Sequence, residues 1–291
     1  MEVADALWIA AGLTRRVREL NDARVVHREL NPHTVLVNSE TREVDLMTHA
    51  SSSRIPRETG QLVHPGHLEG ALEYISPEQT GRMNRAIDYR TDFYSLGATL
   101  YHMLGGAPPF SGEDPVEVVH SHIARAPLPP EAPGVLSALV LKLLAKNAED
   151  RYQSAAGVIE DLETCARRLE ERGQLDAFEL GRGDVTERVQ VPQKLYGREA
   201  ELERLGLSLR RVSQGHPEVV LVSGYPGIGK TALVQEMQRP ILESRGILVS
   251  GKADMLQRNV PYHTVARAFS RLLRRLLTER GEELARWRGR L

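Results

Sequence analysis

The sequence lacks most features that would send a protein to a membrane or to an oxidising compartment. A single cysteine, Cys165, excludes an internal disulfide and is typical of a reducing compartment. No apolar run approaches the roughly 20 residues that a bilayer requires, and the acidic start from Met1 to Asp5 is unlike a signal peptide. Basic residues number 38 and acidic residues 39, so no overall field attracts nucleic acid. We expect a cytoplasmic protein without a membrane segment and without a nucleic-acid partner.

The first 172 residues predict a helix-rich α+β unit. Two short strands, at residues 35–37 and 43–47, flank a polar turn. Residues 173–192 lose periodicity and contain Gly173, Gly181 and Gly183, so we place a linker there. Apolar residues recur at helical spacing over residues 4–20, 91–104, 116–124, 135–144 and 155–172.

Residues 193–291 predict the start of an α/β domain, because strands and helices alternate there. Apolar strands are expected at residues 219–222 and 246–250, on either side of a helix from Thr231 to about Arg239, which Pro240 should end or kink. Further helices are expected at residues 199–213 and 263–289.

A glycine-rich turn between the first of these strands and the following helix matches the pattern G-x-x-x-x-G-K-[ST]. Its residues are Gly224, Tyr225, Pro226, Gly227, Ile228, Gly229, Lys230 and Thr231. The glycines allow backbone N–H groups to point at one phosphate, and the positive end of the following helix adds to their attraction. Lys230 would reach the β- and γ-phosphates of ATP, and the Thr231 hydroxyl would bind Mg²⁺. The alternative is an ordinary glycine turn, but the strand before it and the helix after it favour a nucleotide site.

The residues just before this motif strengthen the nucleotide interpretation. Tyr196-Gly197-Arg198-Glu199 resembles the opening of the AAA-type signalling ATPases known as the STAND group. Members that hydrolyse ATP use an acidic residue on a later strand, which we expect to lie beyond Leu291. The resemblance therefore implies ATP and Mg²⁺ binding and leaves hydrolysis unsupported within this chain.

The first part of the chain resembles the C-terminal lobe of serine/threonine protein kinases. Four elements appear in the kinase order: His27 to Asn38 resembles the H-R-D-L-x-x-x-N loop, and Ser76-Pro77-Glu78 resembles A-P-E. Thr91 to Gly97 resembles the helix that supports the catalytic loop, and Asp150-Arg151-Tyr152 resembles the site whose arginine pairs with the A-P-E glutamate. The resemblance covers residues 1–172, which we call the kinase-like region.

A narrower resemblance joins the two halves. Ser76 to Arg85, together with Asp88 to Asp92, is similar to large bacterial signalling proteins in which a serine/threonine kinase domain precedes an AAA ATPase and then GAF and histidine-kinase modules. The resemblance implies a truncated member of that group, with nucleotide and signalling proteins as partners.

The kinase-like region departs from the kinase pattern where chemistry is needed. Phosphoryl transfer uses an aspartate base and two side chains that hold Mg²⁺. Glu29 stands at the base position, Asn31 at the usual lysine and Thr34 at the metal-binding asparagine, while Thr48 stands at the D-F-G aspartate. We also expect the N-terminal lobe to be missing, because few residues precede His27.

These departures predict a pseudokinase that retains structural residues. We expect Glu78 and Arg151 to form a buried ion pair, since a lone buried charge is costly, and Asp92 to accept hydrogen bonds from catalytic-loop amides. Two alternatives stay open: an active serine/threonine kinase in which another chain supplies the missing lobe, and a non-functional remnant of a longer gene.

Overall fold

The computed structural model describes residues 1–47, 52–54, 71–81, 86–185, 195–225, 227–244, 246–251 and 262–276. Two compact units divide between Glu243 and Ser244. The first unit contains the kinase-like region and also residues 195–243, which we call the P-loop region. Within the described residues, no helix combines the length and the apolar character needed to cross a membrane. The predicted site positions Thr48 and Pro226 lie outside the described residues.

The core of the kinase-like region is made by helices that the apolar periodicity predicted. Helix α1 packs against α5 and α2, and α2 packs against α4. Leu7 and Leu13 on α1, and Leu136 on α4, are fully buried in this core. The predicted helices are confirmed, with these bounds: α1 Val3–Asp22, α2 Arg90–Gly105, α3 Pro115–Ala124, α4 Gly134–Leu143 and α5 Ala155–Arg172.

Short strands hold the loop that carries the kinase-like motif. Strands β2, Val35–Asn38, and β3, Glu43–Leu46, form the predicted antiparallel hairpin. The Asn38 side chain closes its turn by accepting hydrogen bonds from the N–H groups of Glu40 and Thr41. Strand β1, Val25–Val26, pairs with β4, Ser53–Arg54. The loop from His27 to Thr34 therefore lies between two anchored strands.

The first part of the predicted linker, residues 173–185, packs on the kinase-like region as a strap. The Asp184 carboxylate accepts hydrogen bonds of 2.8 Å from the N–H groups of Gln153 and Ser154, at the start of α5. The Gly181 N–H donates to Asp161 at 2.6 Å, and Phe178 packs against the core. The strap thus belongs structurally to the kinase-like region, and the start of the second domain at residue 193 stays a prediction.

The P-loop region contains three described helices, α6 Glu199–Ser213, α7 Lys230–Glu236 and α8 Gln238–Glu243. The helical conformation is interrupted at Met237, between α7 and α8. Pro240 explains the break, because a proline ring collides with the carbonyl four residues earlier, here that of Glu236, if the helix continues. The helix predicted from Thr231 to about Arg239 is therefore interrupted earlier than predicted, at Met237, and Pro240 itself lies within α8.

The predicted strands at residues 219–222 and 246–250 are wrong for the described structure, which shows no strand at either place. Val219 is 100% exposed and Leu221 is 89% exposed. A strand exists only when a neighbour takes up its N–H and C=O groups, and no described residue pairs with these segments. Apolar sequence alone therefore predicts an extended segment here but not a sheet.

The second unit, Ser244–Leu291, has one described helix, α9 His263–Leu276. This helix agrees with the first part of the helix predicted at residues 263–289. Residues 277–289 lie outside the described residues. Gly251 lies so close to the backbone of Thr264 that a methyl group there would collide with the Thr264 carbonyl.

Candidate functional site

The glycine-rich segment forms a curved loop in front of α7. Gly224, Gly227 and Gly229 have φ angles of 157°, 81° and 94°, which residues other than glycine rarely adopt. The Ile228 N–H donates to the carbonyl oxygen of Tyr225 at 3.3 Å and closes a turn inside the loop. The backbone is therefore curled and not extended, as a phosphate-binding loop requires.

Lys230 lies across this loop. Its ammonium group donates hydrogen bonds of 2.8 Å to the carbonyl oxygen of Gly224 and 2.9 Å to that of Tyr225. Lys230 also begins α7 and Thr231 follows it, so both lie in the first turn of this helix, where N–H groups have no intrahelical acceptor. One cation and the free donors of a helix start thus lie at the end of a glycine-rich curve.

A cavity of about 320 Å³ opens beside the loop, within the size range of small-molecule sites. It lies between α6, residues 220–224 and the start of α7. Its wall combines apolar, charged and small residues. Its lining includes Arg198, Glu201, Arg204, Leu205, Leu221 and Lys230.

The charges in this cavity do not balance. Arg198 donates to Glu201 at 2.8 Å, and this hydrogen bond lowers the pKa of the Glu201 carboxyl. Within the described part of the chain, Arg204 and Lys230 have no carboxylate within 4.0 Å. The lining thus carries three cations and one anion, and two of the cations form no described ion pair. An anionic ligand such as a polyphosphate fits this surplus.

Sequence reasoning identified Arg198 through the Y-G-R-E motif but missed the rest of the α6 wall. Gly197 has a φ of 70°, and its N–H donates to the Glu199 side chain at 3.1 Å, which fixes the turn into α6. The missed residues carried a signal, because side chains three and four apart share a helix face. Glu201, Arg204, Leu205 and Ser208 follow this spacing, and all of them line the cavity.

In the kinase-like loop, the side chains at two of the degenerate positions bond to the loop itself. The Thr34 hydroxyl lies 3.0 Å from the carbonyl oxygens of both Glu29 and Asn31 and can donate to either. The Asn31 amide donates to the Glu29 carbonyl at 2.9 Å and accepts from the His33 N–H at 2.9 Å. Thr34 is 7% exposed and Asn31 4% exposed. These polar groups therefore stabilise the loop from inside.

Asp92 on α2 holds the start of this loop, as the resemblance to kinases implies. Its carboxylate oxygens accept hydrogen bonds of 2.8 Å from the N–H groups of His27 and Arg28. Burial raises the pKa of Asp92 to about 7, although the two N–H donors oppose this shift. Arg28 has a φ of 68°, and Gln79 donates to its carbonyl oxygen at 2.7 Å. Several independent contacts thus fix an unfavourable backbone angle.

Glu78 and Arg151 form the ion pair that the sequence predicts. Two hydrogen bonds of 2.7 and 2.8 Å join the guanidinium to the carboxylate, and the side chains are 4% and 0% exposed. Thr91 donates a further hydrogen bond to Glu78 at 2.8 Å. Burial opposes ionisation of Glu78, but the charge and hydrogen bonds of Arg151 outweigh it and hold the pKa below its usual value.

No described group of three or more His, Cys, Asp or Glu side chains is arranged to hold a metal ion. The structure thus places the predicted residues in three groups. Gly224, Ile228, Gly229 and Lys230 line the cavity, and Thr231 follows Lys230 in the first turn of α7. Glu29, Asn31 and Thr34 lie in the kinase-like loop, whereas Glu78, Asp92 and Arg151 are buried in the kinase-like region.

Comparison with known families agrees with this division. The protein kinase domain family matches residues 2–161, and the AAA ATPase domain family matches residues 194–291. The sequence is similar to hybrid signal transduction histidine kinase G of Dictyostelium discoideum, with 35% identity over 243 residues, which are 75% of this chain and 7% of that protein.

Two further relatives are bacterial serine/threonine-protein kinases. The serine/threonine-protein kinase PknB of Mycobacterium tuberculosis is 38% identical over 143 residues, which are 47% of this chain and 22% of that kinase. A probable serine/threonine-protein kinase of Corynebacterium efficiens is 30% identical over 201 residues, 66% of this chain and 30% of its own length. The chain thus spans less than a third of each of these three relatives. It belongs to the protein kinase family and carries an AAA-type ATPase domain after its kinase domain.

Proposed function

We propose that this chain is an ATP-binding signalling protein in which the P-loop region is the nucleotide switch and the kinase domain is a non-catalytic partner-binding module. The observation that carries this proposal is the position of Lys230, inside a loop curved by three glycines and beside a cavity with surplus positive charge. In this reading the ATPase domain is of the STAND type, binds ATP without hydrolysing it within this chain, and works in the cytoplasm with other signalling proteins.

The residues of the loop fit Mg-ATP. Lys230 can exchange the carbonyl oxygens of Gly224 and Tyr225, which it meets at 2.8 and 2.9 Å, for the β- and γ-phosphate oxygens. The Thr231 hydroxyl would be one oxygen ligand of Mg²⁺, and the backbone N–H groups of residues 227–231 would face the phosphates. Mg²⁺ would supply charge neutralisation on the phosphates.

The kinase-like loop supports a non-catalytic role. The Thr34 hydroxyl and the Asn31 amide already serve backbone groups of the loop, whereas phosphoryl transfer needs a side chain at the Thr34 position that is free to bind Mg²⁺. Glu29 carries a carboxylate on a side chain one methylene longer than aspartate, and a misplacement of about 1 Å can cost a hundredfold in rate.

Calorimetric titration with Mg-ATP tests the switch. The wild-type protein should bind, and Lys230→Ala should weaken binding by at least about tenfold, because a charge-assisted hydrogen bond contributes roughly 1.5–3 kcal/mol. Arg210→Ala is the matched control, since Arg210 is exposed on α6 and is not part of the cavity lining. Equal affinity of the wild-type and Lys230→Ala proteins would rule out the switch.

An active serine/threonine kinase is the second candidate, and the similarity to kinases such as PknB favours it. The two functions differ in which residue the activity needs. Transfer of radiolabelled phosphate from ATP to a protein substrate should be absent if the region is a pseudokinase. Transfer that Glu29→Ala abolishes and Lys230→Ala leaves intact would establish the active kinase instead.

A further inference from the structure

Helix α8 of the P-loop region packs against α3 of the kinase-like region within the first unit. The His120 ring nitrogen Nε2 lies 2.7 Å from the carbonyl oxygen of Leu242, and it must be the donor because a carbonyl can only accept. This carbonyl is among the last four of α8, which have no intrahelical donor. The Leu242 side chain packs on a small apolar cluster that includes Val119 and Ile123 of α3.

Each side of this contact is close in sequence to one of the two motifs, the Ser76-Pro77-Glu78 segment and the glycine-rich loop. On the kinase side, the same cluster contains Ile75. Ile75 lies three residues before Glu78 of the buried ion pair. On the other side, α8 follows α7, which begins at Lys230 of the glycine-rich loop. A contact between α3 and α8 therefore connects the segment around Glu78 with the helix that starts at the candidate phosphate site.

A single buried residue, Met237, joins α7 to α8. Met237 is 8% exposed, its N–H donates to Val234 at 3.2 Å, and its carbonyl oxygen accepts from Ile241 at 3.0 Å. One buried residue thus serves the last turn of α7 and the first turn of α8. Helix α6, which lines the cavity, packs against both helices.

We propose that the α3–α8 contact restrains the glycine-rich loop and opposes nucleotide binding, so that nucleotide in turn loosens the contact. This inference rests on the proposed nucleotide function. The contact coexists with an arrangement in which Lys230 pairs with loop carbonyls, and a phosphate must take Lys230 from them. Because α8 is held on α3, movement of α7 toward the phosphate meets resistance, and coupling between two sites is reciprocal by thermodynamic necessity.

Two substitutions break the contact from opposite sides. Leu242→Asp places a carboxylate in the apolar cluster, and His120→Ala removes the donor to the α8 carbonyl. Each residue is only partly buried, so the core of the kinase-like region stays intact. Each variant should bind Mg-ATP about fivefold or more tightly than the wild type, the lower end of typical coupling between sites.

Glu117→Ala is the matched control for His120→Ala, because Glu117 is exposed on the same helix and takes no part in the contact. Its Mg-ATP affinity should equal that of the wild type. The double variant Leu242→Asp/His120→Ala should bind no more tightly than the stronger single variant, because both changes remove one interaction.

Hydrogen exchange gives a second measurement on the wild-type protein. Mg-ATP should increase exchange in residues 116–124 of α3 while protecting the loop at 224–231. Protection of the loop with unchanged or slower exchange in α3 overturns the proposal, as does equal or weaker Mg-ATP affinity in both contact variants. These results would leave nucleotide binding standing, whereas the loss of the Lys230→Ala effect would remove the proposed function itself.

Discussion

The kinase-like region and the P-loop region keep opposite parts of their families' patterns. In the kinase-like region Arg151, Glu78 and Asp92 form buried contacts, whereas Glu29 and Thr34 stand where the kinase pattern has aspartate and asparagine. In the P-loop region the ligand motif is complete, although only Leu233 and Met237 are buried among residues 195–225, 227–238 and 240–243.

The difference reflects what each residue costs when it changes. A lost partner in a buried ion pair destabilises the whole domain, whereas a changed catalytic base affects only a rate. A phosphate-binding loop, in contrast, depends on local backbone geometry, here the positive φ angles of Gly224, Gly227 and Gly229, and needs little burial around it. The kinase-like motif residues thus lie in buried contacts, whereas the P-loop motif rests on local backbone geometry.

The largest expected effect comes from breaking the buried ion pair. Arg151→Met leaves the Glu78 charge buried without its partner and should lower the free energy of unfolding by about 3–5 kcal/mol, measured by chemical denaturation. Arg15→Met is the control, because its ion pair with Glu163 is about half exposed on both sides and should contribute at most about 1 kcal/mol. Equal losses of unfolding free energy in the two variants would show that the buried ion pair contributes no more to stability than the exposed one.

Leucine truncation in each region should show the same contrast at a smaller scale. Leu136→Ala opens a cavity in the kinase-like core, where Leu136 is fully buried, and should cost about 2–5 kcal/mol of unfolding free energy. Leu221→Ala in the P-loop region should change it by less than about 0.5 kcal/mol. A large cost at Leu221 would mean that residues 219–222 are packed in solution, against the described exposure.

The smallest effect is expected at Arg204 and sharpens the ligand side of the comparison. Arg204→Ala removes one cation of the cavity and should weaken Mg-ATP binding by about fivefold, corresponding to about 1 kcal/mol for a partly solvated charge pair, with unfolding unchanged. Adenosine should bind equally to the wild type and the variant, because it carries no phosphate. Loss of adenosine affinity would instead assign Arg204 to base recognition.

The sequence predicted what depends on local pattern. Helices α2 and α3 begin within one residue of their predicted starts, because apolar periodicity reports a buried helix face directly. The pairing of Glu78 with Arg151, residues 73 apart in sequence, was accessible only through resemblance to kinases, since composition and periodicity carry no information on such a contact.

The sequence could not predict what depends on distant partners. Residues 219–222 have strand-like composition, but a strand needs a neighbour, and the described structure provides none. The sequence predicts a linker over residues 173–192, and it does not reveal the strap at 173–185, because the hydrogen bonds from Asp184 to the start of α5 have no periodic signature. The contact between His120 and Leu242, residues 122 apart, is invisible for the same reason.

Photoaffinity labelling with an azido-ATP analogue, followed by peptide mapping, tests most directly whether nucleotide belongs to the P-loop region. If ATP binds at the P-loop region, the label should appear in peptides from residues 195–233. Excess ATP should prevent this labelling, and Lys230→Ala should abolish it. Label in residues 24–47 that survives Lys230→Ala would contradict this assignment, because ATP would then be bound at the kinase-like loop.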